Sequence, residues 1–388
     1  MDLHSILNVA VKETASDVHL KAGLPPILRI YGDLVPIKNY NRLTPDEISK
    51  MAVRLMTNTQ KETFKSTHQV DLAYSVPGLG RFRVNIFQQR GATGISLRVI
   101  PMLIHSFDEL RLPKVLEKLS MEHRGLILAT GITGSGKSTT LASMLDYINN
   151  HRTCHIITIE DPIEFLYKDK KCIINQREIG IDTRSFSESL RGALRQDPDV
   201  IMVGEMRDLE TTEIALTAAE TGHLVFSTLH TIDASETINR IVSIFPPYQQ
   251  KQVRIQLAGV VKGIISQRLM PMKDGRGRVP AVEVMVSTSR VRECIEDKDK
   301  TKEISDAISK GYSTYGMQTF DQSIMELLKK GHISYDESLK QASNPDDFAL
   351  KVKGVTSDSD MGWKDFEKEK TETEGEGENE GEVEVERF

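Results

Sequence analysis

The chain has 388 residues with ordinary apolar (39%) and charged (27%) fractions, so two folded domains are expected. Its formal charge of −6 arises at one end, because residues 365–388 hold eleven acidic and three basic side chains. The near-neutral remainder excludes the strongly basic surface of a typical nucleic-acid-binding protein. No apolar run approaches the ~20 residues of a membrane-spanning helix, and no secretory signal pattern is found. Three cysteines without a C-x-x-C pair predict a cytoplasmic protein without an ordinary zinc site.

Residues 1–105 predict a small α+β domain with an antiparallel sheet. The segments "PPILRIYGDLVPI" (25–37) and "GRFRVNIFQQRGATGISLRVI" (80–100) alternate apolar and polar residues, with glycines at the turns, as strands do. The segment "TPDEISKMAVRLM" (44–56) begins with a threonine followed three residues later by an acid, which predicts a helix start. Residues 106–122 then predict a linker and a helix.

Residues 123–355 predict an α/β domain. Short apolar runs ("GLILATG", "HIITIEDP", "DVIMVGEMRD", "HLVFSTLHT") alternate with helical patterns, which indicates a buried parallel sheet. Beyond Phe245 we predict mostly helix, including the stretch "YQQKQVRIQLAGVVKGIISQRLM" (248–270). The glutamate-rich residues 356–388 predict a disordered, solvated tail, with docking to a basic partner as the alternative.

Residues 131–138, "GITGSGKS", match the pattern G-x-x-x-x-G-K-[ST] of loops that wrap nucleotide phosphates. Its glycines permit backbone conformations that direct N–H groups at phosphate oxygens. Lys137 would reach the β and γ phosphates, and the Ser138 hydroxyl would ligate Mg²⁺ at the start of a helix. The predicted nucleotide-binding residues of this segment are Gly131, Thr133, Gly134, Ser135, Gly136, Lys137, Ser138 and Thr139.

Three further polar residues stand where other predicted strands end: Glu160, Glu205 and His230. In open parallel sheets, ligands bind beyond the carboxyl ends of the strands. Glu205 suits a contact with Mg²⁺ and Glu160 suits polarisation of the attacking water, although on physical grounds alone the two carboxylates could exchange roles. His230 could sense the γ-phosphate. A structural role explains it nearly as well, and explains His223 better.

Together these residues resemble the secretion ATPase superfamily, which powers type II and type IV secretion and type IV pili. The segments "GITGSGKSTT", "ITIEDPIEF", "LRQDPDVIMVGEMRD" and "TGHLVFSTLHT" follow in its order and spacing. The segment "ASDVHLKAG" (15–23) resembles the signature of its N-terminal domain, and "GMQTFDQ" (316–322) is typical of its pilus-retraction branch. The resemblance covers about residues 1–354. It implies a RecA-like P-loop ATPase core preceded by a small, PAS-like α+β domain.

The resemblance implies a function as well. It suggests a Mg²⁺-dependent, homohexameric ATPase motor that hydrolyses ATP to drive type IV pilus retraction and twitching motility. Such a motor acts on an inner-membrane platform protein from the cytoplasmic face, and a paralogous retraction ATPase is a further candidate partner. Assembly and secretion relatives usually carry an additional N-terminal domain and a four-cysteine zinc element. Their absence from this sequence favours retraction.

Several alternatives stay open beside retraction. One is an accessory retraction ATPase, and another is a pilus-assembly ATPase. A regulatory nucleotide-binding ring is a third. A nucleic-acid translocase is least favoured, because it needs a basic channel and stacking aromatics, whereas aromatic residues make up 6% of this chain.

The resemblance also assigns residue roles. Glu160 corresponds to the catalytic glutamate of the aspartate box, and Glu205 to the acidic residue of the Walker B motif. His223 and His230 correspond to the histidine box. The implied motor holds its nucleotide between the two domains and closes and opens them as ATP binds and is hydrolysed.

Two further parts of the chain correspond to functional segments of the superfamily. Arginines of its N-terminal domain approach the phosphates, and Arg81, Arg83 and Arg98 lie in the matching stretch. Surface positions on a twisted sheet explain each of them equally well. The retraction motif AIRNLIRE corresponds here to "SRVRECIED", which retains Arg292 and Ile295.

Overall fold

A computed structural model describes residues 2–354 except 31, 39 and 276. Within the described residues the chain forms two compact units, 2–103 with Ile163–Tyr167 and Ile104–Pro162 with 168–354. The four-part division given above stays a prediction, and its acidic tail, 356–388, lies outside the described residues. No helix in the described part of the chain is both long and apolar enough to cross a membrane.

The first unit is built on an antiparallel sheet, as predicted, and this sheet has six strands. Its strands are Asp17–Leu20 (β1), Ile27–Ile30 (β2), Asp33–Pro36 (β3), Gln69–Val76 (β4), Gly80–Gln89 (β5) and Ala92–Ile100 (β6). They lie in the order β3-β2-β1-β6-β5-β4. Its helices are Leu3–Lys12 (α1), Pro45–Leu55 (α2) and Asn58–Thr67 (α3). Helix α2 begins with the expected capping box, in which Thr44 and Glu47 satisfy each other's backbone amides.

The second unit is built on a seven-stranded sheet. Its strands are Gly125–Thr130 (β7), His155–Glu160 (β8), Ile173–Glu178 (β9), Val200–Val203 (β10), Leu224–Leu229 (β11), Val261–Pro271 (β12) and Arg278–Val286 (β13). The order is β13-β12-β7-β11-β10-β8-β9. Neighbouring strands run parallel except β12 and β13, which are antiparallel. Every residue of β7, β10 and β11 is buried, which accounts for their unbroken apolar sequences.

Helices cover this sheet and extend beyond its antiparallel edge. They are Val115–Ser120 (α4), Lys137–His151 (α5), Phe186–Ala193 (α6), Leu209–Glu220 (α7), Ala234–Ser243 (α8), Gln250–Val260 (α9), Ser289–Glu296 (α10), Ile304–Lys310 (α11), Tyr312–Tyr315 (α12), Phe320–Lys329 (α13), Tyr335–Gln341 (α14) and Pro345–Val352 (α15), with a 3-10 turn at Thr301–Glu303. A satellite core joins Phe320 and Ile324 of α13, Phe348 of α15 and Met270 of β12. The α/β class of the fold is as predicted.

The helix predicted over 248–270 is wrong in its second half. Helix α9 ends at Val260, and the chain continues directly as β12, which pairs with β7 on one side and β13 on the other. An apolar run of this kind suits a buried strand as well as a helix. The β-branched Val261, Ile264 and Ile265 favour the strand, and all three are buried in the sheet.

The centre and one edge of the seven-stranded sheet predict different costs for the same substitution. Ile127→Ala, on central β7 and fully buried, should lower the free energy of unfolding by about 2–5 kcal/mol through lost burial and a cavity. Ile173→Ala, on edge strand β9 with the residue 63% exposed, should change it by less than about 0.5 kcal/mol. Urea denaturation of both variants checks this. Equal losses would contradict the sheet order.

Candidate nucleotide-binding site

The glycine loop joins the carboxyl end of β7 to helix α5, as its sequence context requires. Gly131, Gly134 and Gly136 have φ values of +139°, +79° and +94°, a region that side chains disfavour. Gly136 stands at the N-cap of α5, and no side chain caps this end. The first amides of α5 therefore need an acceptor, and together with the helix dipole they suit an anion.

Gln267 of β12 packs against both ends of this loop. A Cβ on Gly131 would lie 2.4 Å from the Gln267 carbonyl oxygen, and one on Gly136 would lie 2.7 Å from its Nε2. The Gln267 Oε1 accepts a hydrogen bond of 2.8 Å from Thr140 on α5. Sequence reasoning missed Gln267, and no local signal could have found it, since its partners lie more than a hundred residues away.

Inside the loop, the polar side chains are held ready for phosphate. The buried Lys137 Nζ donates to the carbonyl oxygens of Gly131 (2.7 Å) and Ile132 (3.0 Å). The Ser135 Oγ is buried and has no hydrogen-bond partner among the described residues, which suits a ligand acceptor or donor at that point. Ser138 stands in the first turn of α5, where its hydroxyl oxygen is of the type that Mg²⁺ prefers.

The two predicted carboxylates lie at the carboxyl ends of parallel strands. The glycine loop lies at the same end of the sheet. Glu160 ends β8 and is buried, and its Oε1 accepts from Thr158 (2.7 Å) and Gln176 (3.2 Å), which orients the carboxylate. Glu205 follows β10, and its Oε2 forms an ion pair with the Arg207 Nε at 2.7 Å. Since β8, β10, β11 and β7 are consecutive neighbours, the fold gathers these groups beside the phosphate loop.

The two histidines of the candidate histidine box lie at opposite ends of β11. His230 follows its carboxyl end, with Nε2 at 3.8 Å from Glu205 Oε2. Burial, and then the nearby Lys137 charge, lower the pKa of His230, so it is neutral at pH 7. His223 precedes the amino end, roughly 20 Å away at ~3.3 Å per residue, and its Nδ1 lies 3.0 Å from the Ala218 carbonyl oxygen. Of the two, His230 is the one that lies at the carboxyl ends of the strands, near Glu205.

The candidate arginines belong to the first unit and share one face of its sheet. Arg81 and Arg83 alternate along β5 with the buried Phe82, and Arg98 lies directly opposite Arg83 on β6. Arg98 Nε donates to the Asp17 carboxylate at 3.0 Å, while most of its side chain stays exposed. Their contact with phosphate stays a prediction.

A cavity of about 500 Å³ opens beside the phosphate loop within the second unit. Its lining includes Gly136 and Thr139 from the loop side, and Leu269, Arg278 and Val279 from β12 and β13. A cavity that is lined by apolar and charged side chains and lies next to the phosphate-binding amides suits the base and ribose of a nucleotide. Sequence reasoning missed this cavity because it treated the β12 segment as helix.

A glycine loop on a buried parallel sheet, with carboxylates at the same edge, defines a P-loop ATPase core. Residues 1–340 match the family described as type II/IV secretion system protein, and the chain belongs to this family.

Individual relatives agree with the family. The chain is 47% identical to the type IV pilus retraction ATPase PilT of Pseudomonas aeruginosa, over 90% of this chain and all of that protein. It is 40% identical to the type IV pilus ATPase PilU of the same organism, over 93% of this chain and 94% of that protein. A crystal structure of the pilus retraction motor PilT with bound ADP superimposes with a TM-score of 0.81 at 48% identity, covering 89% of this chain and 98% of that one.

The close packing of the loop predicts that one added methyl group will weaken ATP binding. Gly131→Ala would place Cβ against a backbone oxygen that cannot yield, so the dissociation constant for ATP should rise at least about tenfold. Gly222→Ala is the matched control, since its φ is +121° but nothing lies within 4 Å of the added Cβ. It should lose about 1–2 kcal/mol of stability and keep its affinity. Isothermal titration of both variants checks this, and unchanged binding in Gly131→Ala would contradict a phosphate role for the loop.

Proposed function

We propose that this chain is an ATP-driven motor that retracts type IV pili and supports twitching motility. The observation that supports it most is the match, over 90% of this chain, to a relative named as a pilus retraction ATPase. The site supports the same chemistry, because a phosphate loop, two carboxylates and a neutral histidine meet at one sheet edge. A homohexameric ring at the cytoplasmic face of the inner membrane, pulling on a platform protein, completes the proposal.

In this proposal ATP is bound by the loop residues 131–139, with its base in the cavity lined by Leu269 and Val279. Mg²⁺, when bound, would be held by Ser138 and, through water, by Glu205, and would neutralise phosphate charge. Arg81, Arg83 and Arg98 are proposed to add charge to the phosphates from the first unit.

Glu160 is the proposed catalytic carboxylate. Thr158 and Gln176 both donate to its Oε1, so the side chain is fixed in one orientation at the end of β8. A carboxylate held in this way can align a water molecule and accept its proton as the γ-phosphate bond breaks. Glu205 already forms an ion pair with Arg207, and it lies next to His230, which suits metal and phosphate contacts better than proton abstraction.

An accessory retraction ATPase is the second candidate, and one observation favours it. The identity to PilU is 40% over 93% of this chain, compared with 47% over 90% for PilT. The stretch corresponding to the retraction motif forms helix α10, in which Ile295 is buried and Arg292 is exposed. The exposed face of α10 therefore differs from the motif at most positions. A different binding partner would contact this face.

The role of Glu160 predicts a separation of binding from turnover. Glu160→Gln should lower kcat by roughly 10²–10⁴ because the amide cannot accept a proton, while the dissociation constant for ATP stays near the parent value. Glu178→Gln is the matched control. Glu178 is also a buried carboxylate at a strand end, directly opposite Glu160 on β9, and its substitution should leave kcat close to the parent. Measuring ATP hydrolysis by the purified variants checks this prediction. Normal turnover in Glu160→Gln would contradict a catalytic role for Glu160.

The motor proposal predicts a phenotype in a deletion strain. Removing the gene should leave excess surface pili, because assembly continues without retraction, and only the native gene should restore the normal number. Complementation with Glu160→Gln should not. Counting pili by electron microscopy checks this. Loss of pili would indicate assembly instead, and an unchanged count would favour the accessory role.

A further inference from the structure

Three polar side chains form a row across the antiparallel edge of the seven-stranded sheet. Thr130, the last residue of β7, lies directly opposite Ser266 of β12, and Ser266 lies directly opposite Glu283 of β13. Directly opposed residues project from the same face of a sheet. All three are buried, with exposed fractions of 0%, 0% and 6%.

Polar side chains follow one another along this row toward the carboxylate. The Thr130 hydroxyl donates to the Ser266 Oγ at 3.0 Å, and the Ser266 hydroxyl lies close enough to Glu283 to lower the pKa of its carboxyl. Glu283 Oε1 also accepts from the backbone amide of Ala234 at 3.0 Å. One end of the row is therefore the residue before Gly131, and the other is the first residue of helix α8.

The amino end of α8 carries the loop that begins with His230. Asp233 caps the helix by accepting from the Glu236 amide, and the hydroxyls of Thr231 and Thr237 are 2.7 Å apart. The segment 231–233 is thus tied to α8, and the bond from Ala234 to Glu283 ties α8 to the sheet.

We propose that Glu283 is a positioning residue for ATP hydrolysis, which holds the amino end of α8, and with it His230, in register with the base of the phosphate loop. This rests on the ATPase function proposed above. Glu283 acts through Ala234 on one side and through Ser266 and Thr130 on the other, not by touching nucleotide.

The Glu283 carboxyl gains or loses its proton near neutral pH. Burial raises the pKa of Glu283 to about 7, and the Asp233 charge adds to that rise. The Ala234 amide, the Arg268 charge and the Ser266 hydroxyl oppose it. When ionised, the carboxylate only accepts, so it binds the Ala234 amide strongly. When protonated, it can donate to Ser266 and reverse the row. Turnover should therefore fall as the pH drops through about 7.

Glu283→Gln tests the proposal because the amide keeps the shape but is never charged. We expect kcat at about pH 8 to fall about tenfold, the effect of losing one charged hydrogen bond, with KM for ATP near the parent value. The profile of kcat from about pH 6 to about pH 8 should lose the limb near 7. The Tm at about pH 8 should not fall, since the variant no longer buries a charge.

Two serine variants support the test if Glu283→Gln folds poorly. Ser266→Ala breaks the row and should lower kcat in the same direction. Ser227→Ala, the matched control, removes a buried serine of β11 whose hydroxyl has no hydrogen-bond partner in the described part of the chain, and should keep kcat.

A parent-like kcat and pH profile in Glu283→Gln would overturn the positioning role while leaving the ATPase proposal intact. A fall in Tm and ATP affinity together with kcat would also overturn it, because that pattern marks a purely structural residue. If the parent protein hydrolyses no ATP, both proposals fail.

Discussion

The close approach of the phosphate loop to strand β12 is the constraint on which the nucleotide site depends. The backbone oxygen of Gln267 lies so near Gly131 that no side chain fits between them, and the Gln267 side chain fills the space beside Gly136. The loop is thus supported from outside its own β-strand and helix. As a result, the segment from β12 to β13 supports the site, although the phosphate-binding and acidic residues come from earlier in the chain.

Elements whose signals are local could be predicted from the sequence. Helix α5 begins at Lys137, directly after Gly136, where the glycine loop predicts the start of a helix. Strands β7, β8, β10 and β11 were equally evident, since burial on both faces leaves unbroken apolar runs. Parallel neighbours then bring Glu160, Glu205 and His230 to one edge, as expected. Their chemical roles stay predictions.

What could not be predicted depends on contacts between distant segments. The sequence of 261–270 predicts helix, whereas the structure has strand β12, because pairing with the distant strand β7 leaves no signal in the local period. Gln267 and Glu283 were missed for the same reason, since neither belongs to a motif and each acts through residues far away in sequence. The histidine pair shows the reverse case. The family resemblance groups His223 and His230 in one histidine box, but a whole strand separates them.

Lys137 adds a property that concerns the rate of nucleotide exchange. Its ammonium group donates to two carbonyl oxygens of its own loop, Gly131 and Ile132. A phosphate that displaces either bond gains from Lys137 only the difference between the new contact and the bond that it replaces. When the phosphate departs, the ammonium group returns to the same two carbonyl oxygens, so the buried charge stays hydrogen-bonded. Each displaced bond therefore weakens retention of the nucleotide and favours its exchange.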